Sequence, residues 1–117
     1  MSTDPRAAQW YAVWNARDLD AIMDLYAEDL EFASPFVAAL GFAADGVITI
    51  KPMLRAYFEV ALSRVTDLRF DPLAVCAGCH GHTLVYRNQS GVLVTEAHEY
   101  DEAGRITRAS VAYEITS

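Results

Sequence analysis

The sequence predicts an α+β domain. Three observations predict it: apolar residues recur at helical spacing in three N-terminal stretches, the second half alternates in four short runs, and turn-forming pairs separate those runs. Helices first and an antiparallel run of strands after them place the helices over one face of a curved sheet. The 117-residue length fits a single domain spanning residues 1–117.

The elements follow in order. "TDP" (3–5) reads as a helix start, a capping residue followed by proline in the first turn, and Ala7, Trp10, Tyr11 and Trp14 then share a face. "ARDLDAIMDLYAED" restarts a helix with Asp18 as N-cap and Leu19, Ile22, Leu25 and Tyr26 as its apolar side. "LEFASPF" (30–36) alternates as a strand, with Leu30, Phe32, Ser34 and Phe36 on one side. A loop runs to Gly46. "ITIKPMLRAYFEVALSRV" is the third helix, Pro52 near its first turn and Ile50, Met53, Leu54, Tyr57, Phe58 and Ala61 facing inward. Strands are expected at about 67–76, 79–88, 91–100 and 105–115, with turns at "AG" (77–78), "QS" (89–90) and "DEAG" (101–104).

Composition excludes several functions. A net charge of −7, from 9 basic against 16 acidic residues, argues against binding a phosphate backbone. No apolar stretch has the length of a membrane span. The N-terminus lacks a basic region followed by an apolar run, so a cytoplasmic protein with reduced thiols is expected.

"CAGCH" (76–80) has the form of a haem-attachment signature. The residues after His80 read as a strand, however, and alternation sends Cys79 and His80 to opposite faces, which also opposes zinc. The expected structure is a hairpin turn, Ala77-Gly78, flanked by two thiols. No metal and no cofactor are expected. His80 and His82 share a face, expected to be the outer one, where the pair would need a third ligand to hold a metal.

The stretch "WYAVWNARDLDAIMDLYAEDLEF" (10–32) resembles the start of SnoaL-like and ketosteroid isomerase-like proteins of the nuclear transport factor 2-like superfamily. "DGVITIKPML" and "EYDEAGRITR" resemble that family's third-helix entry and last hairpin. The resemblance implies a cone, in which a curved antiparallel sheet wraps three N-terminal helices around an internal pocket. It also implies a homodimer formed through the sheet. Activities in the superfamily range from isomerases and polyketide cyclases to members without catalysis, so the fold leaves function open.

Carried across residue by residue, the isomerase tyrosine falls on Trp10, its general base on Ser34 and its oxyanion acid on Glu96. Trp10 and Ser34 do not supply those groups, so the steroid isomerase mechanism is not expected. Alternation places Val92, Val94, Glu96, His98 and Tyr100 on one face, and the family register adds Ala109, Val111 and Tyr113. The expected wall comprises Trp10, Trp14, Tyr26, Phe32, Ser34, Phe36, Met53, Tyr57, Val94, Val111 and Tyr113. Glu96 stands out, because an unpaired carboxylate on an apolar face is costly. It either finds a partner or solvent, or it has a function; His98 shares its face at a spacing that does not assure a direct bond. Two functions fit. One is binding of a small, mostly apolar, oxygen-bearing molecule with proton transfer by Glu96 and His98. The other is a non-catalytic ligand-binding or structural homodimer. Nucleic acid and membrane are not expected partners.

Overall fold

The computed structural model describes residues 4–115. The element order is α1 (Pro5–Asn15), α2 (Leu19–Asp24), β1 (Tyr26–Ala33), α3 (Pro35–Ala39), β2 (Val47–Ile48), α4 (Lys51–Arg64), β3 (Asp71–Ala77), β4 (Gly81–Arg87), β5 (Leu93–Tyr100) and β6 (Ile106–Tyr113). One curved, open six-stranded sheet runs β2-β1-β6-β5-β4-β3, with the helices against its concave face. This is the expected α+β cone.

Local chemistry explains the helix ends. Asp4 accepts the Ala7 N–H at 3.0 Å and caps α1, with Pro5 at its first position; Thr3 lies outside the described residues. Asp18 caps α2 through the Ala21 N–H at 3.1 Å. Arg17, between them, adopts a left-handed φ of 57°. Its guanidinium donates to the Leu62 and Val65 carbonyls at the end of α4, groups that a helix terminus leaves unpaired. Asn15 exchanges two hydrogen bonds with the Phe70 backbone, 2.8 and 3.1 Å, and so seats Phe70 against Trp10.

Several sequence expectations are corrected. The second helix stops at Asp24, and Tyr26 begins β1, because β1 pairs with β6 from Tyr26↔Ile106 onward. That pair is parallel, so the sheet is mixed rather than wholly antiparallel. The expected strand at 30–36 ends at Ala33; Ser34 caps α3, and Phe36 lies on that helix. The loop to Gly46 thus contains a fourth helix, started by Pro35. The first hairpin turns at Cys79-His80, since Gly78 and Gly81 close it with a backbone bond of 2.9 Å. Cys76 therefore faces Thr83 rather than Cys79, and both thiols are free and exposed.

The faces of β4 are also reversed from expectation. His82, Leu84 and Tyr86 point inward and are buried, whereas His80 is exposed at the hairpin tip. The next turn is centred on Ser90, not between Gln89 and Ser90, with Leu84↔Glu96 and His82↔His98 in register. A one-residue change of that kind exchanges the two faces of a strand.

Candidate functional site

A cavity of about 510 Å³ opens between the helices and the concave face of the sheet. Helix α1 supplies Trp10 and Trp14, and α4 supplies Tyr57, Phe58 and Ala61. Phe32 and Ser34 come from β1 and its end, Phe36 from α3, and Phe70 from the segment that Asn15 pins. The sheet contributes Tyr86, Val94, Glu96, Val111 and Tyr113. Polar groups gather at Arg64 and at the β4–β5 turn, Asn88, Gln89 and Ser90. Glu96 is the one carboxyl among the lining residues.

Glu96 is 4% exposed, and both of its oxygens are engaged. The Tyr86 hydroxyl donates to Oε1 at 3.2 Å, and His98 Nε2 lies 2.9 Å from Oε2. Behind Glu96 a buried polar chain continues to the start of α1. His98 Nδ1 lies 2.9 Å from His82 Nε2, and His82 Nδ1 lies 2.7 Å from Asp4 Oδ2. The Tyr100 hydroxyl sits 3.2 Å from His82 Nε2, and Arg6 stacks over the Tyr100 ring at 4.0 Å.

The electrostatics follow from burial. Desolvation pushes the His82 imidazole below its ordinary value, with the Asp4 hydrogen bond opposing. Burial alone would raise the Asp4 carboxyl, but the Ala7 N–H and His82 outweigh it and hold it below its ordinary value. The Tyr86 hydroxyl is pushed far up by burial and by the neighbouring Glu96. Tyr100 rises to about 12 through burial, with Arg6 working the other way. Burial also raises Tyr57 and Tyr113, and the Ser34 hydroxyl moderates both. These phenols are therefore hydrogen-bond donors at neutral pH, not bases.

Of the residues read from sequence, Trp10, Trp14, Phe32, Ser34, Phe36, Tyr57, Val94, Val111, Tyr113 and Glu96 line the cavity. Tyr26 does not: it is 1% exposed in the core beneath, its hydroxyl near the Trp10 and Trp14 indoles without a hydrogen bond of good geometry. Met53 is 36% exposed on α4, away from the cavity. His98 stands behind Glu96 rather than on the wall, and it bonds Glu96 directly, contrary to the spacing argument. Sequence reasoning missed Tyr86, Phe58 and Phe70 as wall, and Asp4 and His82 as the continuation of the polar chain. The signal for His82 was its parity with Leu84 and Tyr86, an apolar inward set.

A SnoaL-like domain model matches residues 7–111. No curated protein matches the sequence significantly. Among solved structures, a SnoaL-like protein of unknown function from Burkholderia thailandensis is 31% identical, covering 92% of this chain and 90% of that one with a TM-score of 0.87. A proposed polyketide cyclase from Sinorhizobium meliloti is 14% identical over 94% of this chain and 95% of that one, TM-score 0.77. The epoxide hydrolase/cyclase-like enzyme SalBIII, with a role in pyran ring formation in the polyether salinomycin, is 16% identical over 94% and 88%, TM-score 0.72. The last two likenesses are of fold.

Proposed function

The chain belongs to the SnoaL-like family, and from that premise we propose that its cavity binds a small, mostly apolar, oxygen-bearing molecule and moves a proton on it through Glu96. The observation that carries this reading is one carboxyl on an otherwise aromatic and aliphatic wall, held by a buried histidine. A volume of about 510 Å³ suits a flat molecule of two to four rings. A base or acid is most effective where water is scarce and its partner holds it in place. Glu96 would take a proton from a carbon next to a ligand carbonyl, or return it, while Tyr86 steadies its other oxygen. His98 acts through Glu96 as a positioning residue. The isomerase-like and cyclase-like character of proteins that share the fold supports this class of chemistry. The serine at position 34, where a second carboxylate would complete an isomerase, favours a second reading: binding without chemistry. We also propose that the sheet forms a homodimer, supported by β3, an edge strand exposed from Pro72 to Ala77.

Both tryptophans of the chain line the cavity, so their emission reports its occupancy directly. Titration with 2-tetralone, a flat apolar ketone, is expected to give a saturable change in emission. Ala61→Phe, which fills the cavity, should abolish that change. No change in the wild type, or an equal change in the filled variant, would count against ligand binding here.

A further inference from the structure

We propose that Asp4, His82 and His98 form a proton wire that couples the charge of Glu96 in the cavity to a carboxyl at the protein surface. The inference rests on Glu96 being the proton-handling group. Three contacts join four groups in a row: Asp4 Oδ2 to His82 Nδ1 at 2.7 Å, His82 Nε2 to His98 Nδ1 at 2.9 Å, and His98 Nε2 to Glu96 Oε2 at 2.9 Å. Each contact needs one proton between its two heavy atoms. Two carboxylates and two neutral imidazoles carry only two protons and leave one contact with lone pairs face to face. Two imidazolium rings carry one proton too many and set N–H against N–H between the rings. Three protons satisfy all three contacts, and the chain as a whole then holds a single negative charge.

Those three protons have two end arrangements. In the first, Asp4 is the carboxylate, each ring carries its proton on Nδ1, and Glu96 is the neutral acid. The second follows when each proton crosses its own hydrogen bond. One moves from Glu96 Oε2 to His98 Nε2, one from His98 Nδ1 to His82 Nε2, and one from His82 Nδ1 to Asp4 Oδ2. Asp4 is now the acid and Glu96 the carboxylate. No proton enters or leaves, and no side chain moves. The transfer converts Glu96 from acid to base while a ligand fills the cavity and shuts out water. Asp4, whose side chain is 24% exposed, then exchanges its proton with solvent.

The first arrangement has Asp4 ionised, which is the direction in which the Ala7 N–H and His82 hold it. The other titratable or charged groups around the chain are Arg6 and Tyr11 of α1, Tyr26 of β1, Tyr57 of α4, Tyr86 of β4, Tyr100 of β5 and Tyr113 of β6. The tyrosines are raised and stay neutral, so Arg6 is the one cation among them. The Tyr100 hydroxyl shares His82 Nε2 and turns to donate or accept as the ring changes tautomer.

The test uses the full chain without ligand, labelled with nitrogen-15 in histidine, so its outcome is independent of whether 2-tetralone binds. In the wild type, a scalar coupling should link His82 Nε2 and His98 Nδ1 through their shared proton; its absence would overturn the wire whatever any variant does. Asp4→Asn keeps a helix cap and an oxygen acceptor for His82 but accepts no proton. It should slow exchange of the inter-ring proton with water by about tenfold or more, with the amide spectrum unchanged, and Asp4→Glu should restore the rate. A merely structural role predicts no slowing, because Asn caps the helix and accepts from His82 as Asp does. Unchanged or faster exchange in Asp4→Asn would overturn the proposal.

Discussion

Asp4 uses its two oxygens for two tasks: Oδ1 caps α1 through Ala7, and Oδ2 takes the His82 N–H. Fold and site chemistry meet at that carboxyl, and pH therefore bears on both. His82 has a folded value depressed below its ordinary 6.5, desolvation being the main cause. The unfolded chain takes up a proton near 6.5 that the folded ring refuses. Stability is thus full above that pH and falls as pH drops from there towards the folded value. Asp4 adds a second loss as pH falls through its ordinary 3.8, because its folded value is also lowered. Urea midpoints on either side of 6.5 should decline on the acid side, and His82→Gln should flatten the first part of that decline. An equally steep slope in His82→Gln would show that another group carries it.

The elements show which parts of this molecule are written locally. The α1 cap, the α4 start at Pro52 and the alternation of β5 follow from residues within a few positions of one another, and they were legible. So was most of the wall, because Trp10, Trp14, Phe32 and Tyr57 repeat at the periods of their elements. The errors arose where distant pairing decides. Tyr26 has a helical neighbourhood but is claimed by β6, and a parallel partner so far along the chain leaves no local mark. The β4–β5 turn differs from the simplest hairpin by one residue, which sent His82, Leu84 and Tyr86 to the wrong face and hid the chain behind Glu96. Gly81 holds part of the missing information. A Cβ there would run into the His98 backbone carbonyl, so close approach of β4 to β5 at the two histidines requires glycine.

At the scale of the whole molecule, the sheet extends beyond the helices that cover it. Leu84 and Tyr86 are 0% and 3% exposed, so β4 offers no apolar patch for a dimer through the sheet. The apolar surface lies on β3 instead, where Leu73 and Val75 are 54% and 43% exposed on a strand with one open edge. A second copy pairing on that edge would cover both. Light scattering should therefore give twice the chain mass of 12.9 kDa, and Val75→Asp should return it to one chain. A monomeric wild type, or a dimer unaffected by Val75→Asp, would place the interface elsewhere or remove it. No helix among the described residues is long and apolar enough to cross a membrane.

Exchange of the hydrogens next to the carbonyl of 2-tetralone, followed by proton NMR in deuterated buffer, tests most directly whether Glu96 moves a proton inside the cavity. Wild-type protein should accelerate the exchange over buffer. Glu96→Gln keeps the shape of the side chain and its bond to Tyr86 but removes the acid–base group, and it should lower the protein-dependent rate by about 10²-fold or more. Equal rates for wild type and Glu96→Gln, with 2-tetralone bound in both, would contradict proton transfer by Glu96 and leave a binding protein without chemistry.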